Sequence, residues 1–439
     1  MQALRATGET PHCRHGDPLP PADTIGQLFR DYGEEYIKVF HPEQRTIRLI
    51  RSIRVCRTPA LGGRRVVCRE CGHTRYEYFS CGNSQCPQCQ GIKRLQWQDR
   101  LAARMLRVPY CHITFTLPHE LNGLARRNTA QVYDLLLRSA WQTVSVLCAR
   151  ADNAGGRPGM TAVLHTWGSD LKYHVHAHCL VTFGGLTDDA APVWKWPRRK
   201  NKLAPFRKLC ATFRWVMLSG LKQLLQSGQV SYQGDFAVLE AELERKRWVV
   251  NHQPPTADTK VIEEYLGRYI SRIGISNKRF HYDVQSGQVR IEYNDYARQQ
   301  PGQPAPKAYR TLPPLVAMHQ LLQHQTPAHF QRVRHYGLHA ASTRRKIGDQ
   351  LPQAVKKEGQ TVRTLIQILR ALLGTEPFRC EQCGSTGFEV QPINSGRNYL
   401  HSHVLHRDRS PPFGQAGKTD HWINTSSRGG EPEPALSER

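Results

Sequence analysis

Acidic side chains are scarce in this chain. Its 439 residues carry 36 Asp plus Glu against 61 Lys plus Arg, a formal net charge of +25 with His neutral. Such an imbalance attracts and steers polyanions, so nucleic acid is the expected partner class. Long apolar runs are missing too: none approaches the roughly 20 residues that a membrane helix needs. The opening MQALRATGET has no signal-peptide core. A cytoplasmic, nucleoid-associated protein with no membrane partner is therefore expected. No internal repeat is visible. At 39% hydrophobic and 22% charged, the composition excludes wholesale disorder, and the length suggests about three domains.

Nothing suggests secretion, so the 13 cysteines point to metal rather than to disulfides. Cys68-x-x-Cys71 and Cys86-x-x-Cys89 form two knuckles fourteen residues apart, with Gly72 and Pro87 supplying tight turns. Four thiolates at that spacing can surround one zinc ion, and a zinc ribbon on Cys68, Cys71, Cys86 and Cys89 is the expected set. Cys56 and Cys81 are open between ligand and packed thiol. Cys380-x-x-Cys383, followed by Gly384, is half of a second ribbon or an isolated pair, with His401, His403 and His406 downstream.

Hydrophobic periodicity organises the rest. A Pro- and Gly-rich arm precedes helical spacing over 24–55, and Lys93 to Leu106 reads as a helix leaving the cysteine cluster. Alternation from Tyr110 to Leu117 predicts a strand, Thr129 to Arg150 a long helix, and Met160–Thr166 and Tyr173–Phe183 two further strands. Ser286-Gly287 turns a hairpin, 299–314 reads as a Pro- and Gln-rich linker, and the last forty residues as disordered. Between Trp194 and Lys208 lie seven basic residues, no acidic one and two tryptophans, which suits single-stranded DNA or a solvated loop.

Two segments carry possible chemistry. In Tyr173-His174-Val175-His176-Ala177-His178, strand alternation puts the three histidines on one face. Imidazoles two residues apart on a strand can chelate one divalent ion; a solvated polar face is the alternative. On the helix expected from Thr259 to Ile273, Tyr265 and Tyr269 stack at i and i+4 beside Arg268 and Arg272. Ile262, Leu266, Ile270 and Ile273 form its apolar stripe. A tyrosine so placed is either a covalent nucleophile or part of an ordinary aromatic pair.

Several motifs in order resemble the rolling-circle insertion-sequence transposases of bacteria, the two-tyrosine branch of the HUH nucleases. They are Cys68-Arg69-Glu70-Cys71-Gly72-His73, Cys86-Pro87-Gln88-Cys89, Phe115-Thr116-Leu117-Pro118-His119, Leu164-His165-Thr166-Trp167-Gly168, His176-Ala177-His178, Tyr265-Leu266-Gly267-Arg268-Tyr269 and Arg334-His335-Tyr336-Gly337. The resemblance covers about residues 24–345. It implies an α+β chain: an N-terminal zinc ribbon, then an HUH-type antiparallel sheet with packed helices, helical additions and a disordered tail. The division expected is 1–23 arm, 24–107 helical segment and zinc ribbon, 108–298 catalytic nuclease, 299–375 linker and helical region, and 376–439 CxxC segment and tail.

The same resemblance implies roles. His176 and His178 would hold a catalytic Mg²⁺ or Mn²⁺, and Tyr265 and Tyr269 would attack the scissile phosphate to give a 5′-phosphotyrosine. The partners would be single-stranded and hairpin-containing DNA at element ends, and target DNA. The third ligand is not fixed by the match; His165 on the neighbouring strand is chosen, ahead of His174 and His112. Val175 stands where the family commonly has Pro. Asn83-Ser84-Gln85 replaces its Asn-Arg-His, which argues against a second zinc at Cys56 and Cys81. Rival readings are a replication initiator or relaxase of the same chemistry, and a catalytically inactive zinc-ribbon DNA-binding protein.

Overall fold

The computed structural model describes residues 24–103, 105–258, 275–300, 302–348, 351–355, 363–374 and 376–395. The N-terminal arm, the segment carrying Tyr265 and Tyr269, and the tail with His401, His403 and His406 lie outside the described residues. No helix among the described residues is long and apolar enough to cross a membrane.

Helix α1 (Ile25–Phe40) begins at Thr24, whose hydroxyl accepts from the Gln27 amide at 3.2 Å. It stops at His41, a left-handed residue (φ 42°) whose N–H donates to the Ile37 carbonyl. Pro42 follows, and its ring disfavours helical geometry at His41. The helical stretch expected over 24–55 is thus two helices, the second being α2 (Gln44–Val55). Ile25, Leu28, Phe29, Ile50 and Ile53 turn inward to a shared core.

The hairpin β1 (Gly63–Cys68) and β2 (Thr74–Tyr78) comes next, then α3 (Gly91–Ala102), β3 (Tyr110–Thr116), α4 (Asn122–Arg127) and α5 (Thr129–Ala149). Strands β4 (Gly159–Trp167) and β5 (Tyr173–Thr182) are followed by the short pair β6 (Gly185–Leu186) and β7 (Trp194–Lys195). Then come α6 (Phe206–Gln226), α7 (Phe236–Arg245) and β8 (Val250–His252). Further on, β9 (Phe280–Tyr282), β10 (Val289–Asn294) and β11 (Lys307–Leu312) form a meander. Helix α8 (Pro314–Leu322), β12 (Val333–Gly337), α9 (Ala341–Ile347), α10 (Leu365–Leu373) and β13 (Phe388–Ile393) complete the described order. The chain is an α+β protein.

The sheet that matters for chemistry has five antiparallel strands in the order β12-β4-β5-β3-β8. On one face Ile113, Phe115, Ala162, Leu164, Val175, Ala177 and Cys179 pack against α5 and α6 through residues such as Leu136, Ala140, Phe213 and Met217. Residues of opposite parity, among them Thr114, His165, His176 and His178, therefore share the other face. Val163 and Leu180 on that face are covered by Leu101, Met105, Leu106 and Val355. Both faces are consequently buried along β4 and β5, except at His174 near the start of β5.

Two expected boundaries are corrected. Residues 299–314 are not simply a linker, because Lys307–Leu312 pairs along β10 with Val289 opposite Leu312. The CxxC segment is no separate piece either: β13 pairs along β1 from Gly63↔Ile393 to Cys68↔Phe388, giving the sheet β13-β1-β2.

Strand β12 ends at Gly337, whose φ of +55° and surroundings leave no room for a side chain. A Cβ there would lie 2.0 Å from the Pro158 carbonyl oxygen and 2.5 Å from the Trp141 ring. Gly337→Ala is expected to cost on the order of 2 kcal/mol or more, read as a lower thermal midpoint. Gly302→Ala is the control, since Gly302 also has positive φ but nothing within 4 Å of its Cβ position. Equal losses in the two variants would contradict the packing described at the β12 edge.

Candidate functional site

The histidine face is built by strand register. His165 on β4 stands directly across from His176 on β5, and His178 follows two residues later on the same face. The ligand atoms of His165, His176 and His178 all lie within 4.8 Å of one another, and all three residues are buried. His176 Nε2 is 3.0 Å from His178 Nε2, with the rings nearly perpendicular at 81°. The His165 ring is edge-on to both, its centroid 5.4 Å and 4.6 Å from theirs.

Neighbouring groups fix which nitrogens point inward. His176 Nδ1 lies 2.9 Å from the His174 carbonyl oxygen and donates to it, which makes Nε2, facing His178, the nitrogen that carries the lone pair. His178 Nδ1 lies 3.0 Å from His112 Nε2 and 3.2 Å from the Thr114 hydroxyl, so its outer nitrogen is engaged in the same way. His165 stacks on Trp167 at 4.5 Å, and the Arg332 guanidinium covers the Trp167 ring at 5.0 Å. His174, on the same strand face, is exposed and contributes its carbonyl rather than its ring. His112 supports His178 from the next strand. These are the outer contacts that hold ligating imidazoles in metal sites. The sequence offers His174 and His112 as alternative third ligands, whereas the β3–β5 pairing sets the His112 ring behind His178 and the His174 carbonyl lies behind His176.

Burial also sets protonation. It pushes His176 down to about 3, with nearby His174 and His112 adding to the effect. Burial lowers His178 well below the ordinary imidazole range too. Both are therefore neutral near pH 7, the form in which imidazole binds a metal. Three neutral imidazoles with converging nitrogens are a donor set that a divalent metal ion can occupy.

The cysteines assemble differently from the expected single set of Cys68, Cys71, Cys86 and Cys89. Cys86 and Cys89 join Cys56 and Cys81, and Cys68 and Cys71 join Cys380 and Cys383. The β1–β2 hairpin is the physical reason. Six residues of β1 separate its ends by about 17 Å, and Cys68 and Cys71 sit at its tip. The return strand brings Phe79 back to the open end, where its N–H donates to Gly62 and its carbonyl accepts from Arg57. Cys81 is thereby delivered beside Cys56, its amide 3.5 Å from the Cys56 sulfur. Cys81 and Cys89 sulfurs are 3.7 Å apart, and Cys56 and Cys86 are buried against α1 and α2. At the hairpin tip, the Cys71 amide draws the Cys68 thiol down to about 6.

The basic run is partly tied down. The Arg198 amide donates to the Asn153 carbonyl, and Lys208 pairs with Asp152 at 3.3 Å. Trp194 is buried, whereas Trp196 is 53% exposed beside exposed Lys195, Lys200 and Lys202.

Two families match the chain. A "Transposase zinc-binding domain" matches residues 28–117, and a "Putative transposase" domain matches residues 159–346. The histidine triad, Tyr265 and Tyr269 fall within the second match. Cys56, Cys81, Cys86 and Cys89 fall within the first, and Cys380 and Cys383 lie outside both. The "Putative transposase y4qJ" of Sinorhizobium fredii is 34% identical over 325 residues, spanning 71% of this chain and 79% of the relative. The "Transposase for insertion sequence element IS801" of Pseudomonas savastanoi pv. phaseolicola is 28% identical over 376 residues, spanning 79% and 86%. No solved structure matches the chain.

Buried neutral histidines make a pH prediction. Burial holds His339 down to about 3 and His324 to about 4, as it does His176 and His112. The unfolded chain takes up these protons near the ordinary imidazole value of about 6.5, before the folded chain does. Stability is therefore complete above that pH and is lost as pH falls toward 4. Urea midpoints of metal-free protein are expected to fall from pH 7 to pH 5. A midpoint that stays level or rises over that interval would contradict the assigned protonation states.

Proposed function

Because the chain belongs to the IS91/IS801-type transposases of the rolling-circle insertion-sequence family, we propose that it cuts and joins single DNA strands at element ends through a tyrosine-linked intermediate. The observation that carries this reading is the buried triad of His165, His176 and His178, with its outer nitrogens already engaged by His174 and His112. Such an arrangement suits a divalent ion, Mn²⁺ or Mg²⁺, which would withdraw charge from the scissile phosphate and fix its orientation. His176 and His178 supply Nε2 lone pairs without reorganisation, and the surrounding burial keeps bulk water from competing.

The phenolic oxygen of Tyr265 or Tyr269 attacks the phosphorus in line with the leaving 3′ oxygen. A P–O bond to tyrosine forms, the P–O3′ bond breaks, the phenolic proton passes to solvent, and the 3′ oxygen takes a proton from water. The DNA end is then held as a 5′-phosphotyrosine beside a free 3′-hydroxyl. Because the ester is retained, a later 3′-hydroxyl can reverse the step and rejoin strands without nucleotide hydrolysis. Two tyrosines let one hold an end while the other attacks the next. The charge of +25 supplies backbone affinity for the strand and is independent of that chemistry.

The N-terminal zinc-binding domain has a structural role, with Cys56, Cys81, Cys86 and Cys89 as the proposed ligands. Zinc at that set would fasten α2, the hairpin base and the entry to α3 into one unit.

Two experiments test the reading. His176→Ala and His178→Ala are each expected to abolish cleavage of single-stranded element ends while retaining binding of the same oligonucleotide. Full cleavage by the double alanine variant would remove the triad from the mechanism. Separately, Tyr265→Phe and Tyr269→Phe keep the rings but delete the attacking oxygen. The double variant should give no protein–oligonucleotide band on a denaturing gel, and a persistent band would exclude both tyrosines.

A further inference from the structure

The sheet of the N-terminal ribbon is completed from the far end of the chain, and so is its second group of thiols. Cys68 and Cys71 stand at the tip of the β1–β2 hairpin; Cys380 and Cys383 precede β13, which pairs with β1 over six residues. The Cys68 and Cys383 sulfurs are 3.6 Å apart, as are those of Cys71 and Cys380. Four thiolates around a tetrahedral ion with Zn–S of about 2.3 Å have sulfurs about 3.8 Å apart. The observed spacing matches that geometry.

The two pairs also share a backbone shape. The Gly72 amide donates to the Cys68 carbonyl at 3.0 Å, and the Cys68 amide to the His73 carbonyl at 2.9 Å. In the other pair, the Gly384 amide donates to Cys380 at 2.9 Å and the Cys380 amide to Ser385 at 2.8 Å. Both glycines have positive φ, 72° and 75°. Each C-x-x-C-G is thus a knuckle turn whose sulfurs converge on one point. Around them the two ends are fitted together: the Arg69 amide donates to the Gly387 carbonyl at 3.0 Å, and Arg75 covers the Phe388 ring while donating to the Pro377 carbonyl.

We propose that Cys68, Cys71, Cys380 and Cys383 bind a second structural zinc ion, which closes the chain by joining its C-terminal segment to the N-terminal ribbon. The ligand pairs are 315 and 309 residues apart at their facing sulfurs. A clip across so long a loop removes much freedom from the unfolded chain. The matched zinc-binding domain, ending at residue 117, contains only half of this site. The inference does not depend on the cleavage chemistry.

Metal analysis of the purified full chain, with protein measured independently, should give two zinc ions per chain. Cys380→Ser/Cys383→Ser should give one, and proteolysis should then cut within 376–395. Cys71 and Cys383 are exposed, so without a bound ion they would alkylate readily. In the native chain both should resist alkylation until a zinc chelator is added, a readout that needs no variant. One zinc per native chain, two in the double serine variant, iron in place of zinc, or rapid alkylation of Cys71 and Cys383 before chelation would each overturn the proposal.

Discussion

The proposed metal centre depends on the register between β4 and β5. His165 faces His176 because six paired positions, from Met160↔Val181 to His165↔His176, run without a slip before the irregularity between His165 and Trp167. A one-residue shift of β5 against β4 would send His176 and His178 to the helix-covered face, away from His165, and Ala177 to the other. The register is held by the apolar face, where Met160, Ala162, Leu164, Val175, Ala177 and Cys179 pack under α5 and α6. Folding energy gathered on one side of the sheet thus fixes chemistry on the other. The irregularity after His165 also lets Trp167 lie along its ring.

The same relation between packing and site governs the cysteines. The β1–β2 hairpin acts as a spacer that divides eight thiols into two groups of four, one at each end. Cys56 and Cys86 are part of the core formed with α1 and α2, so that group is continuous with the helical packing. The other group is partly exposed and is held by strand pairing between distant parts of the chain.

Much of this was legible in local pattern. Alternation over Tyr110–Leu117, Met160–Thr166 and Tyr173–Phe183 anticipates β3, β4 and β5 within a residue or two, because strand period and burial agree there. The fold brings His165 on β4 together with His176 and His178 on β5. The cysteine grouping was not legible, since spacing along the chain favours Cys68 with Cys86, whereas a hairpin of ordinary length sends them apart. The strand over Lys307–Leu312 was hidden by the Pro- and Gln-rich residues before it. His112 joins the site through β3–β5 pairing, an effect of tertiary structure that no local periodicity carries.

In the proposed site, His165, His176 and His178 together hold a divalent ion through their inner nitrogens. Pulsed electron paramagnetic resonance of Mn²⁺ added to the metal-free full-length protein tests it most directly. Bound Mn²⁺ is expected to show hyperfine couplings from several imidazole nitrogens, reduced when His165 is replaced by Ala. Mn²⁺ that binds without imidazole coupling, or with couplings unchanged in His165→Ala, would contradict it.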